Sequence, residues 1–356
     1  MIPKTVRRVL VVKIKYIGDV LLCTPVFRVL REAFPGATFT ALVARGTEDV
    51  VLYHPDVDEV LTVDRPAEKK ESWGCSWTDH GRLLRRLREN RFDLAIDLTD
   101  GDRAAFLTWA SGARWRVGFN RERRLRGWAY HQVVPTWSGL RHRVEADLEA
   151  LRALGVPVHP VAPSLGVPPD AEAAAEQLLA HKRVLRDRDI VLIHPGARWW
   201  FKAWPPERFA ALADGIEEEL GAQVMIAGGP GDVATAEVIR GKMRYPAIPV
   251  AGETSILELA ALLRRCRLFV GNDNGPMHIA AAVGTPVVAL FGPTNPAEWG
   301  PWGDGHVALY KGFDCRQCWW SGGCRLGEGN CLQQITVDEA MVAVRQVWNG
   351  KRRDRS

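Results

Sequence analysis

The feature that most narrows what this chain can fold into is alternation. Val9-Leu10-Val11-Val12-Lys13-Ile14 is a nearly continuous apolar run, as required of a parallel strand buried on both faces. Lys15 to Asp19 reads as the turn above it, and a helix is expected around Pro25 to Ala33. Further strands are predicted at Thr38 to Val43, Val57 to Val63, Leu94 to Leu98 and Val117 to Phe119, separated by amphipathic stretches such as Leu83-Leu84-Leu87. Such alternation builds a doubly wound sheet. Gly155 to Pro169 then holds five prolines, at 157, 160, 163, 168 and 169, and reads as an interdomain connection. Beyond it the pattern restarts with a helix over Asp170 to Ala180. Strands are expected at Ile190 to His194, Gln223 to Ala227, Leu268 to Val270 and Val287 to Phe291, with helices at Pro206 to Leu220, Asp232 to Met243 and Ile256 to Arg265. The expectation is two similar α/β halves in tandem, a domain over 1–165 and a second over 166–335. A last segment, 336–356, would hold a closing helix, Val337 to Trp348, and a basic tail. Ligands of open α/β sheets bind beyond the carboxyl ends of the strands, so two such halves facing each other would form a cleft.

The 356 residues suffice for two domains, each with its own core. No window approaches the roughly 18 to 20 apolar residues of a membrane span, and the start lacks a signal-peptide series, so a cytoplasmic location is expected. The formal charge of +5 is uneven: Arg114, Arg116, Arg121, Arg123, Arg124, Arg126, Arg141 and Arg143 crowd one region, and Lys351, Arg352, Arg353 and Arg355 end the chain. Runs of this kind are either solvated surface or an attraction for a phosphorylated or membrane-surface partner. Nucleic acid is not expected as a partner. Seven cysteines do not fit a secreted disulfide framework in a chain this long. Four of them, Cys315, Cys318, Cys324 and Cys331, cluster with glycines between. That cluster suits a structural zinc or iron–sulfur site, reduced thiols, or a local disulfide.

The densest chemistry lies in Gly271-Asn272-Asp273-Asn274-Gly275-Pro276-Met277-His278. A strand ends there in a Gly-bracketed turn, and Pro276 supplies the φ favoured where a helix begins. The free N–H groups of a helix start attract anions, and Asp273, Asn274 and His278 add groups for hydroxyls and phosphates; the plainer alternative is an Asp that caps the helix. After Ile190 to His194 comes Pro195-Gly196-Ala197-Arg198-Trp199-Trp200-Phe201-Lys202. Gly196 permits close backbone approach, while Arg198 and Lys202 bring cations suited to a diphosphate. The aromatics at 199, 200, 201 and 204 either stack on a ring or anchor the loop. Ala227 to Asp232 is another glycine-rich turn, but neither G-x-G-x-x-G nor a Walker motif is present. Glu237 either reaches ribose hydroxyls or is an exposed helix carboxylate. In the first half, Asp19 follows the first strand directly, where it can serve as a general base or as the N-cap of the next helix.

Together these pieces resemble the heptosyltransferases, glycosyltransferase family 9, the inverting GT-B enzymes of the lipopolysaccharide inner core. The resemblance covers roughly residues 8 to 348 and is carried by Ile17-Gly18-Asp19-Val20-Leu21-Leu22-Cys23-Thr24-Pro25, Phe201-Lys202-Ala203-Trp204-Pro205, Asn272 to Ala282 and Ala289-Leu290-Phe291-Gly292-Pro293-Thr294. Arg198 to Lys202 and Asp97-Leu98-Thr99-Asp100 with Arg103 look most like the heptosyltransferase III branch. It implies an ADP-heptose donor in the second half and a phosphorylated, lipid-linked core saccharide acceptor on the first, at the cytoplasmic face of the inner membrane. By the same pattern Asp19 matches the general base and Lys202 the support of the donor diphosphate. Asp273 matches the heptose contact, and Asn274, Gly275 and His278 the phosphate-side turn. Glu237 falls near the ribose contact and Thr254 near the adenine wall. Where some members carry Thr pairs before the lysine, this chain has Ala197 and Arg198, which makes Arg198 the substitute. Gly18, Arg121, Arg123 and Arg124 are assigned to the acceptor. No metal or other cofactor is required in this scheme, because no Asp-x-Asp pair lies at a strand end of the second half. The alternatives are a transferase using another nucleotide sugar for a different surface glycan, and a nucleotide-sugar-binding protein without turnover.

Overall fold

The computed structural model describes residues 6–64, 77–135, 138–312, 318, 324 and 331–350. The chain divides into two compact units, Met1–Gly166 and Val167–Ser356. The first is built on β1 (Arg8–Lys13), β2 (Thr38–Ala44), β3 (Glu59–Val63), β4 (Leu94–Asp97), β5 (Trp115–Gly118) and β6 (Gln132–Val133), in the order β3-β2-β1-β4-β5-β6. All five pairings are parallel. Its helices are α1 (Ile17–Leu22), α2 (Thr24–Ala33), α3 (Asp49–Leu52), α4 (Trp77–Glu89), α5 (Asp102–Ala110) and α6 (Arg143–Ala153).

The second unit repeats the plan. Its strands are β7 (Ile190–His194), β8 (Gln223–Ile226), β9 (Ile248–Pro249), β10 (Leu268–Asn272), β11 (Val287–Phe291) and β12 (Val307–Tyr310), ordered β12-β11-β10-β7-β8-β9 and again parallel throughout. The helices are α7 (Pro169–His181), α8 (Pro206–Leu220), α9 (Val233–Lys242), α10 (Ile256–Arg265), α11 (Gly275–Ala282), α12 (Pro296–Trp299) and α13 (Val337–Gly350). Every residue of β7, β8, β10 and β11 is buried, because helices cover both faces of each sheet. Trp204 shows how firmly the loop after β7 is tied down. It is 1% exposed, packs edge-on to Phe209 at 4.9 Å and donates its indole N–H to Ile335 O at 3.0 Å. Burying a ring of this size contributes about 2 to 3 kcal/mol.

Each sheet therefore has one place where the strand order reverses, between β1 and β4 and between β7 and β10, and the loops at its carboxyl edge splay apart there. The helix after β1 begins earlier than periodicity suggested. Gly18 and Asp19 are not in a turn but in the first turn of α1, and the chain restarts as α2 at Thr24, one residue after Cys23. Thr24 makes the joint by donating its hydroxyl to Leu21 O at 2.8 Å. The short strands β6, β9 and β12 and helices α3, α5 and α6 carry too little periodicity to be read from the chain. They form because neighbours supply their partners.

Candidate functional site

In the first unit, β1 and β4 run side by side in register, Val12 beside Asp97, and their ends carry the chemistry. Asp19 is half-buried, and among the described residues its carboxylate has no hydrogen-bond or ion-pair partner. Tyr16 is the N-cap and makes no side-chain cap bond, so Asp19 is not spent on capping. Below it, Lys13 is fully buried and donates to Asp147 Oδ2 at 2.6 Å and to Leu98 O at 3.1 Å; Asp147 also receives Arg143 Nη2 at 2.9 Å. Asp147 thus pairs with both Lys13 and Arg143, and neither bond involves Asp19. Burial pushes the nearby Cys23 thiol up to about 12, which leaves it inert as a nucleophile.

Asp97 is the second buried carboxylate at this edge. It accepts from Thr99 N at 2.7 Å and from Tyr130 Oη at 2.6 Å. Burial outweighs both donors and raises its carboxyl from an ordinary 3.8 to about 6. Thr99 in turn accepts from Ile14 N at 2.9 Å, so the β4 loop holds the β1 loop. Gly118 makes this possible: a Cβ there would lie 2.5 Å from the Tyr130 ring. Lys13, Tyr130 and Asp147 were missed by sequence reasoning, and Asp97 entered it only as part of the Asp97-Leu98-Thr99-Asp100 motif. The one visible signal was a lysine inside an otherwise apolar strand.

The three arginines assigned to the acceptor have different surroundings. Arg121 Nε donates to Asp100 Oδ2 at 2.8 Å, and Arg124 pairs with Asp102 at 3.3 Å and with Glu122 at 2.6 Å. Arg126, buried, joins Asp100 and Asp102 from behind at 2.9 Å each. Arg123 is exposed at φ 52° and has no ion pair among the described residues.

In the second unit β7 and β10 are adjacent, with Gly271 beside His194. Lys202 Nζ, from the loop after β7, lies 2.6 Å from Asp273 Oδ2 at the end of β10. Asn272 and Asn274 bracket that aspartate and staple the two loops together. Buried Asn272 accepts from Trp204 N at 3.1 Å and donates to Pro195 O at 2.6 Å; Asn274 donates to Gly196 O at 2.8 Å and to His194 Nδ1 at 3.1 Å. The helix cap is Asn274, whose Oδ1 accepts from Met277 N at 3.0 Å. Asp273 is thus free of capping, and Pro276 sits one place beyond the first helical residue, Gly275. Burial lowers the pKa of His194 and keeps it neutral. A Cβ on Gly196 would fall 2.4 Å from the Asp232 carboxylate, so only glycine lets the β7 and β8 loops meet.

The remaining expectations divide. His278 is buried in α11, and Thr254 is half-buried just before α10. Glu237 is exposed on α9 and paired with Arg240 at 2.5 Å. Arg198 is exposed, its guanidinium 5.7 Å from the Trp199 ring centroid. Phe201 and Trp204 are buried anchors, whereas Trp199 and Trp200 are exposed. Cys315 lies outside the described residues; Cys318 and Cys331 are buried and Cys324 half-buried. Among the described residues no three His, Cys, Asp or Glu side chains gather as a metal site, and no helix is long and apolar enough to cross a membrane.

Comparison with known proteins agrees with this fold. The description of glycosyltransferase family 9 (heptosyltransferase) matches residues 80–322. Lipopolysaccharide heptosyltransferase 3 of Escherichia coli is 30% identical over 304 residues, 84% of this chain and 87% of its own. The glycosyl transferase family 9 structure from Veillonella parvula DSM 2008 superposes with a TM-score of 0.83 at 25% identity, covering 97% of this chain and 98% of the other. E. coli ADP-heptose LPS heptosyltransferase II superposes at 0.77 and 22% identity, covering 96% and 99%. The two doubly wound units are those of the GT-B class.

Proposed function

The chain belongs to glycosyltransferase family 9, the heptosyltransferases, and on that premise we propose that it transfers heptose from ADP-heptose to the phosphorylated inner core of lipopolysaccharide, with inversion and without a metal ion. The observation that carries this reading is that both points of strand reversal bear the needed groups. Asp19 is unengaged at one, and Lys202 and Asp273 meet at the other. Asp19 removes the proton of an acceptor hydroxyl. That oxygen forms the new bond to the anomeric carbon as the bond to the ADP oxygen breaks on the opposite face, and the electron pair leaves with the diphosphate. Lys202, Arg198 and the amide end of α11 receive the growing negative charge, while Asp273 holds the heptose hydroxyls. Asn274, Gly275 and His278 shape the phosphate-side turn, with Glu237 and Thr254 toward the nucleoside.

The names of the relatives, an LPS heptosyltransferase 3 and an ADP-heptose LPS heptosyltransferase II, support both donor and acceptor. Gly18, Arg121, Arg123 and Arg124 are assigned to the acceptor, which the enzyme meets at the cytoplasmic face of the inner membrane. The test is a donor screen by product mass, offering ADP-heptose, UDP-sugars and GDP-sugars with a deacylated core acceptor. Turnover with ADP-heptose alone is expected; turnover only with another nucleotide sugar would overturn the reading.

A further inference from the structure

The same segment that carries the arginines also exposes large apolar side chains. Leu125 is 88% exposed and Trp128 60%, both on the short 3-10 turn Leu125–Ala129, and Phe106 and Trp109 on α5 are exposed beside them. Trp109 meets Trp128 edge-on at 5.4 Å and Phe106 lies 6.0 Å from Trp109. A cavity of about 640 Å³ lined by Phe106, Leu125 and Trp128 together with Arg123 and Arg124 joins the apolar and the basic parts. Large exposed aromatics in one patch are uncommon on a soluble surface and mark a docking site.

We infer that this patch is a docking surface for an anionic lipid bilayer. Exposed Trp and Leu side chains enter the boundary between headgroups and acyl chains, and the positive charge of the arginines beside them favours an anionic surface. Charge agrees with that occupant. Arg121, Arg124 and Arg126 pair with the carboxylates Asp100, Asp102 and Glu122, and Arg123 adds a further positive charge. The patch also lies at the correct end of the fold. α5 follows the carboxyl end of β4 and the arginine turn follows that of β5, the same sheet edge from which Asp19 projects. The inference rests on the reading of a lipid-linked acceptor, because such an acceptor is reached only from a membrane surface.

The test compares the full chain with Leu125→Ser/Trp128→Ser in co-sedimentation with phosphatidylcholine vesicles and with vesicles that also contain phosphatidylglycerol. Wild type is expected to bind the anionic vesicles, and the variant to bind them at least about tenfold more weakly. Melting temperature and turnover of the deacylated acceptor are expected to stay unchanged. Equal binding of variant and wild type, or no preference for anionic vesicles, would overturn the inference. So would a parallel loss of deacylated turnover, which would make the patch an acceptor subsite, or a change in solution mass, which would make it a contact between copies. Wild type that binds vesicles but turns over no ADP-heptose would instead overturn the heptosyltransferase reading and leave the lipid surface standing.

Discussion

Lys202 and Asp273 face each other across the strand reversal of the second sheet, Nζ to Oδ2 at 2.6 Å, with both side chains largely buried. In the proposed reaction the lysine assigned to the diphosphate is therefore already paired with the carboxylate assigned to the sugar, and a bound donor would share the ammonium with it.

That relationship gives a prediction for binding. Lys202→Ala is expected to weaken ADP by about 10- to 150-fold, the worth of a hydrogen bond to a charged group. Asp273→Asn is expected to leave ADP affinity equal or tighter, since the lysine is released, while weakening the intact donor over the same range. Calorimetry with both ligands measures this. An equal loss for ADP and donor in Asp273→Asn would remove the sugar assignment.

Asp19→Asn is expected to lower kcat by about 10² to 10⁴, the usual cost of a lost general base, with donor affinity unchanged within a few fold. Among the described residues the group stands unengaged, at the edge of a different sheet from Lys202 and Asp273. Steady-state kinetics above about a tenth of wild-type kcat would assign the base elsewhere.

Activity is expected to survive EDTA, because Lys202, Arg198 and the start of α11 supply positive charge at the leaving group. Loss in chelator with recovery in Mg²⁺ or Mn²⁺ would contradict this. Recovery in zinc alone would direct attention to the cysteine cluster.

Asp97 predicts a pH effect on stability. Its folded pKa, about 6, lies above the ordinary 3.8, so the native state holds the proton more tightly. This contribution favours the fold at low pH and is lost as pH rises through about 6. Replacing Asp97 by Asn removes it. Between pH 4 and pH 7 the stability of the variant relative to wild type should therefore improve by roughly 2 kcal/mol. Denaturant melts at the two pH values measure the difference; a constant offset would show that Asp97 does not titrate in this range.

For the acceptor, raised ionic strength should increase KM for a phosphorylated saccharide far more than for the donor, since a Debye length of about 10 Å at 0.1 M screens exposed arginines. Neutralising Arg121, Arg123 and Arg124 together should reproduce the shift. Arg123→Ala alone should supply most of it, because Arg121 and Arg124 already hold carboxylates. Equal salt sensitivity of both substrates would return these arginines to plain surface.

The sequence by itself determined the class of fold and singled out the loops to which the site is assigned. Buried parallel strands must be apolar throughout, and the residues that follow them, Asp19, Lys202 and Asp273, break that pattern in plain view. What the chain order could not express was pairing between residues distant along it. That Asn274 rather than Asp273 caps α11, that Lys13 is balanced by Asp147, and that Asp97 is held by Tyr130 depend on which strands become neighbours. Helix boundaries such as the start of α1 at Ile17 depend on the same packing. Periodicity reports which face of a segment is buried, and only the folded sheet decides which partner each buried charge will find.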